Sequence, residues 1–241
     1  MSTLMPRLLA PLRSMTLERL APLGLTPADL PAHLAQASSV GRPTLCAERW
    51  QIGQAGCLAE LRLVTIQGQA SEIHNAWVFP VQPAALPVFA SEILVFGHRP
   101  RLAFIDVPAP GLCPALLPQL AHRLAAISER YQDLRPGEPP PDWATNASTG
   151  HWLYARSTSQ ETLPCLLQAY QEYLTAWIDF ATSGGEADPG PTVESESTPD
   201  SVDRYTQYKQ HHAAHTPGRT FLAKLYGPDW AEQFMDQFLY H

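Results

Sequence analysis

RWQIGQAGCLAELRLVTIQGQASEIHNAWVFPVQPAALPVFASEILVFGHRPRLAFIDVP, residues 49–108, is the stretch whose reading decides the fold. It divides into five β-rich runs, at 49–55, 57–66, 72–79, 92–96 and 102–107, separated by Gln-Gly, Pro and Gly-His-Arg-Pro breaks. A parallel crossover needs about a dozen residues or more, and the connections here are short. The runs therefore predict a largely antiparallel meander. HWLYAR at 151–156 predicts a sixth strand, after a loop at 136–149.

Helical spacing flanks the strands on both sides. Residues 3–22 carry Leu4, Leu8, Leu9, Leu12, Met15, Leu17 and Leu20 at near-helical intervals. Residues 26–37 read as a second short helix, with Thr26 as cap and Pro27 in its first turn. Residues 116–131 place Leu117, Leu120, Leu124 and Ile127 on one face, and 162–181 do the same with Leu166, Tyr170, Tyr173 and Trp177. Residues 203–215 and 218–240 return to a helical pattern. Strands with helices before and after predict an α/β fold, a three-layer α/β/α sandwich with a central, largely antiparallel sheet. Residues 1–241 read as a single domain. Within it, 183–202 contains no aromatic residue and no leucine, and is expected to be a flexible acidic loop.

Composition narrows the function classes. With 45% hydrophobic and 16% charged residues in 241, the chain can bury a sizeable core. A net charge of −7 argues against a general nucleic-acid binder, whose affinity comes from neutralising phosphates. No run of about 18 apolar residues is present to span a bilayer. The opening MSTLMPRLLAPLRSMTLERL lacks the continuous apolar stretch of a signal peptide. The expectation is a soluble, cytoplasmic monomer. Cys46, Cys57, Cys113 and Cys165 form neither a CxxC pair nor a zinc spacing, and read as reduced, partly buried thiols. All basic residues but Lys209 and Lys224 are arginines, whose planar fork suits carboxylates.

Three clusters carry chemistry. In SEIHNAWVFP (71–80), strand alternation sends one of His74 and Asn75 toward an interior and the other away; by residue type alone, an edge pair with its polar side chains in solvent is the commoner case. Glu92 and Asp106 stand in successive apolar strands, where burial raises a carboxyl pKa; the alternative for Asp106 is a strand-end cap. YKQHHAAHTPGR (208–219) holds His211, His212 and His215, with His211 and His215 on one helical face. It lacks HExxH and a third ligand, so no metal is expected. A histidine here can donate a proton near neutral pH, or simply end a solvated helix. GxGxxG, P-loop, GxSxG and kinase signatures are absent, so no nucleotide cradle is expected.

Read together, these segments resemble the ferredoxin-dependent bilin reductases, which reduce biliverdin or a partly reduced bilin to phycobilins. The resemblance runs from about residue 47 to 241. It rests on HNAWVFPVQPAALPVFASEILVFGHRPRLAFIDVPAP (74–110), PPPDWATNASTGHWLYAR (139–156) and HTPGRTFLAKLYGPDWAEQFMDQFLYH (215–241). The stretch 93–110 looks most like the branch that makes 15,16-dihydrobiliverdin. The resemblance implies no metal and no tightly bound redox cofactor, with electrons arriving singly from an external [2Fe–2S] ferredoxin and protons from pocket side chains.

Carried over residue by residue, Asn75 falls at a pocket-facing position, Asp106 at the acid of the following strand, Trp143 in an aromatic loop and Arg156 at a propionate-holding base. Three positions depart from the family pattern. Glu92 replaces an aspartate, Ala90 a glycine, and Thr216 the aspartate of a C-terminal Asp-Pro pair, with His215 beside it as a substitute. The candidate catalytic set is thus Glu92, Asp106, His215 and Asn75, with Arg156, Trp143, Thr216, Arg219 and His74 as substrate contacts. Arg99, Arg101, Arg219 and Lys224 are candidates for docking an acidic ferredoxin. Two functions are compatible with this set: reduction of a bilin, favoured by the retained carboxylate at 92, and non-catalytic bilin binding by a carrier, favoured by the lost acid at 216.

Overall fold

The apolar runs pair edge to edge in the order in which they occur. In the computed structural model, which describes residues 7–53, 58–134, 138–183 and 199–241, the elements follow one another as α1 (Ala10–Leu20), β1 (Leu25–Pro27), α2 (Ala32–Ala35), β2 (Gln36–Ala37), β3 (Thr44–Ile52), β4 (Ala59–Gln67), β5 (Ser71–Pro80), β6 (Phe89–Phe96), β7 (Arg99–Asp106), α3 (Leu117–Arg130) and β8 (Leu153–Arg156). They continue with α4 (Leu163–Thr182), α5 (Pro199–His215), α6 (Gly218–Tyr226) and α7 (Pro228–Phe234), which runs into a π-helical turn at Met235–Leu239. Among the described residues one sheet runs β1-β3-β4-β5-β6-β7-β8, with β2 also on β3, and every pairing is antiparallel. The expected meander is present from β3 to β8.

Helices cover both faces. On one, Leu12 and Leu20 of α1, Leu120 and Leu124 of α3, and Leu166, Tyr170 and Trp177 of α4 bury Leu61, Leu63, Ala76, Val78, Phe89 and Ile105. On the other, Tyr205 and Tyr208 of α5, Leu222 of α6 and Phe234 of α7 bury Val64, Ile66, Ile73, Trp77, Phe79 and Ala90. Two-residue alternation sorts each strand between these layers.

Several boundaries differ from the sequence reading for identifiable reasons. α1 begins only at Ala10, with Pro11 in its first turn, because the buried Glu72 carboxylate accepts the amides of Leu8 and Leu9 (2.9 and 3.0 Å). Thr26 caps no helix. It lies in β1, opposite Gln51, and α2 is a single turn after Pro31. β3 begins at Thr44, and residues 218–240 divide at Gly227, whose φ of 99° no helix accommodates. Residues 3–6, 54–55, Cys57, 136–137 and 184–198 of the sequence expectations lie outside the described residues. Cys46 is exposed rather than partly buried; Cys113 and Cys165 are partly buried, and all three are free. No described helix is long and apolar enough to cross a membrane.

The C-terminal layer is fastened to the sheet by polar clamps. The buried Arg62 guanidinium donates to the Phe238 carbonyl and to Glu60, lies 4.9 Å over the Phe79 ring, and shares Glu60 with Arg49 (2.5 Å). Tyr226 donates to the Pro43 carbonyl (3.0 Å) and Trp230 to that of His33 (2.7 Å). These bonds hold α6, α7 and the π turn over the sheet as the roof of a cavity.

Candidate functional site

Strand register builds the floor of that cavity. Val64, Asn75, Glu92, Phe104 and Tyr154 are successive cross-strand partners from β4 to β8, so they form one row on the face toward α5–α7. A parallel row runs Arg62, Trp77, Ala90, Asp106. Over them lie Trp143, from the loop that the Ala109 amide ties down through the Ala147 carbonyl (2.9 Å), together with His212, Thr216, Phe221, Phe234, Met235, Leu239 and Tyr240. The cavity holds about 730 Å³ of empty space, its open mouth included. A mostly apolar lining rich in aromatic rings, with a few polar groups among them, is that of an organic-ligand site.

Some of the buried polar atoms without partners lie in its lining or in the layer beside it. Asn75 Oδ1, His212 Nε2, Tyr208 Oη and Asp106 Oδ2 are buried without hydrogen bonds. Native proteins leave few such atoms, and a ligand or bound water accounts for a cluster of them. Burial pushes the Glu92 carboxyl above the usual carboxylate range. Burial likewise carries Asp106 up to about 7, against the opposing pull of the Ser148 hydroxyl and the Val107 amide, which donates to Oδ1 (2.8 Å). His212 is pulled down to about 4, first by burial and then by its neighbours His211 and His215. The Tyr240 phenol is pushed up by burial and by Glu92, while a hydrogen bond with Thr216 opposes the shift. Near neutral pH the site therefore holds a protonation-prone carboxyl and a neutral imidazole. Among the described residues, no group of three or more His, Cys, Asp or Glu is placed to hold a metal ion.

The structure brings Asn75, Glu92, Trp143 and Thr216 together in the lining. Asp106 points into the same layer, one register row away from Glu92, beside Tyr208 rather than in the lining. Arg156 is exposed at the sheet edge, on the cavity face opposite Leu102, with its guanidinium 3.9 Å from Glu138. Three expectations need correction. His74 faces the other layer, fully buried with its ring 5.8 Å from that of Tyr170 of α4, because alternation can give only one of the pair to the cavity. His215 is exposed at the helix end, stacked on His211 (4.2 Å between ring centres), so His212 is the cavity histidine. Arg219 is engaged by Asp236 (2.7 Å) on the surface. Of the docking candidates, Lys224 is exposed on α6, while Arg99 and Arg101 are exposed in the β6–β7 hairpin, where a register shift leaves Arg101 as the extra residue.

His212 and Tyr240 are among the lining residues the sequence reading missed. A signal existed for the first, since the buried stripe Ser201, Tyr205, Tyr208 continues at helical spacing to His212. None existed for the second, because the π turn at Met235–Leu239 shifts the face presented after it.

Known proteins resemble this chain in sequence and in fold. The family model of the ferredoxin-dependent bilin reductases matches residues 14–241. A 15,16-dihydrobiliverdin:ferredoxin oxidoreductase of Gloeobacter violaceus is 22% identical over 76% of this chain and 74% of its own length. A second of that description, from a Synechococcus, is 23% identical over 90% and 91%. A phycoerythrobilin:ferredoxin oxidoreductase of Prochlorococcus marinus is 26% identical over 72% and 67%. Among solved structures, tomato phytochromobilin synthase in complex with biliverdin superposes with a TM-score of 0.73 at 16% identity, covering 96% of this chain and 82% of that one.

Proposed function

Because the chain belongs to the ferredoxin-dependent bilin reductase family, we propose that it reduces a linear tetrapyrrole, biliverdin or a dihydrobiliverdin, with electrons from ferredoxin and with Glu92 as the principal proton donor. The observation that carries this reading is the Glu92 carboxyl, raised by burial and set opposite Asn75 in an aromatic-lined cavity. A carboxyl whose pKa is raised by burial keeps its proton more readily and so suits a general acid. Asn75, with its buried and unpartnered Oδ1, suits a pyrrole N–H donor. Trp77 and Trp143 in the lining suit a conjugated ligand, and the exposed Arg156 fork at the sheet edge suits a propionate. Thr216 cannot supply a proton as a carboxylic acid does, but its hydroxyl holds Tyr240 near Glu92. That position favours bilin binding without reduction as the second reading.

An anaerobic absorption time course with biliverdin, ferredoxin and a ferredoxin-reducing system tests both. The expected course is a binding shift followed by a blue-shifted product. Glu92→Gln should lower turnover by about 100-fold or more while leaving bilin binding within a few-fold. Parental turnover in Glu92→Gln would refute the assignment of the proton donor. A binding shift with no later change in the parent protein would establish the carrier reading instead.

A further inference from the structure

We propose that Asp106, Tyr208 and His212 form a proton path from the end of β7 to the cavity, with His212 presenting the proton and Asp106 restoring it from behind. Asp106 and Tyr208 do not line the cavity, whereas His212 does. Tyr208 and His212 are one turn apart on the buried face of α5, their rings 4.3 Å apart between centres. The Asp106 carboxylate is close enough to raise the Tyr208 phenol. Each of the three groups carries a buried polar atom with no hydrogen bond: Oδ2, Oη and Nε2. Three such atoms buried in one layer are costly unless they are served, through a bridging water or a small side-chain rotation.

Tyr208 is also faced by Tyr240 and by Tyr205 of its own helix. Asp106 is faced by Tyr208 from α5, by Ser148 from the Trp143 loop and by the Val107 amide. His212 is ringed by Trp77 of β5, Trp143, Tyr208 and Tyr240, with His211 and His215 on its own helix. Glu92 faces Tyr240 from β6. The proposal rests on the reductase reading above and adds a second proton source to Glu92. In the step, an electron from ferredoxin enters the bilin, and one imidazole nitrogen of His212 gives up its proton to form the new bond to hydrogen. In the same movement the Tyr208 phenol gives its proton to the other imidazole nitrogen and takes one from the Asp106 carboxylic acid, so that neither an imidazolate nor a tyrosinate forms. Asp106 ends as a carboxylate and regains its proton from solvent.

Two measurements test this. In the ligand-free protein, ¹⁵N NMR of the His212 ring from about pH 5 to 9 should contain an inflection near 7, where Asp106 ionises. Asp106→Asn should remove it, and Tyr208→Phe, which keeps the ring, should remove most of it. The path is refuted if Asp106→Asn removes no component, or if Tyr208→Phe leaves that component intact. In single turnovers with reduced ferredoxin, Tyr208→Phe and His212→Asn should slow the protonation phase about tenfold or more, with bilin binding within twofold. An unchanged rate in both variants would also refute it. Should the parent protein reduce no bilin at all, the reductase reading falls, while the NMR titration still decides whether the three groups are coupled.

Discussion

His74 and Asp106 lie on opposite faces of the sheet and load the fold in opposite directions as pH changes. Burial lowers His74 to about 3, so the unfolded chain takes up a proton that the folded chain refuses. Its stability contribution is intact above the unfolded value near 6.5 and is lost as pH falls from there toward 3. Asp106 is the reverse case. With its folded value raised to about 7 from 3.8, stability is greatest below 3.8 and declines as pH rises through 7. At about 1.4 kcal/mol per pKa unit, the Asp106 penalty grows by roughly 2–3 kcal/mol between about pH 5 and pH 8. Asp106→Asn should therefore gain stability over the parent mainly at the higher pH. His74→Phe, which keeps a ring against Tyr170, should gain mainly at the lower one, by roughly 2 kcal/mol. Urea midpoints of both variants at the two pH values check this; parallel, pH-independent offsets would contradict both assignments of burial.

At the scale of elements, the strands were legible because period-two alternation and Gly or Pro breaks are local properties, and β4, β5 and β7 lie within a few residues of the apolar runs. β1 and β2 were not, because strands of three and two residues have no pattern of their own and exist by pairing with β3. The break at Gly227 was hidden inside an apparently continuous helical pattern. Its φ of 99° and ψ of 152° belong to a region that residues with a Cβ rarely occupy, and an added Cβ there meets nothing within 4 Å. The cost of Gly227→Ala is thus backbone strain alone, about 1–3 kcal/mol, with no contribution from overpacking. It should lower the urea midpoint accordingly. Since α6 and α7 meet at this residue and both line the cavity, bilin affinity should fall as well. An unchanged midpoint would mean that the junction relaxes to a conformation alanine accepts.

For the whole molecule, the cavity is made by the C-terminal layer closing over a sheet row, which no single segment encodes. Asn75, Glu92 and Trp143 were found through family resemblance and strand position, but the choice of His212 over His215 depended on how α5 lies across the sheet. The same global geometry bears on electron delivery. A chain of net charge −7 attracts an acidic ferredoxin only through a local positive surface, and electrons must reach the cavity. Lys224 lies on α6, the helix whose Phe221 and Leu222 form cavity wall, and Phe221 is itself exposed beside the mouth. Arg99 and Arg101 lie in a hairpin that contributes no cavity residue of its own turn, and Arg219 is already held by Asp236. Lys224→Glu should therefore lower kcat/KM for ferredoxin several-fold, more than Arg99→Glu does, with bilin binding unaltered. The deficit should shrink as salt is raised from about 0.01 to 0.15 M, where the screening length falls from about 30 to 8 Å. A larger effect from Arg99→Glu would move electron arrival to the β6–β7 hairpin, and salt-insensitive turnover would mean that docking does not rest on these charges.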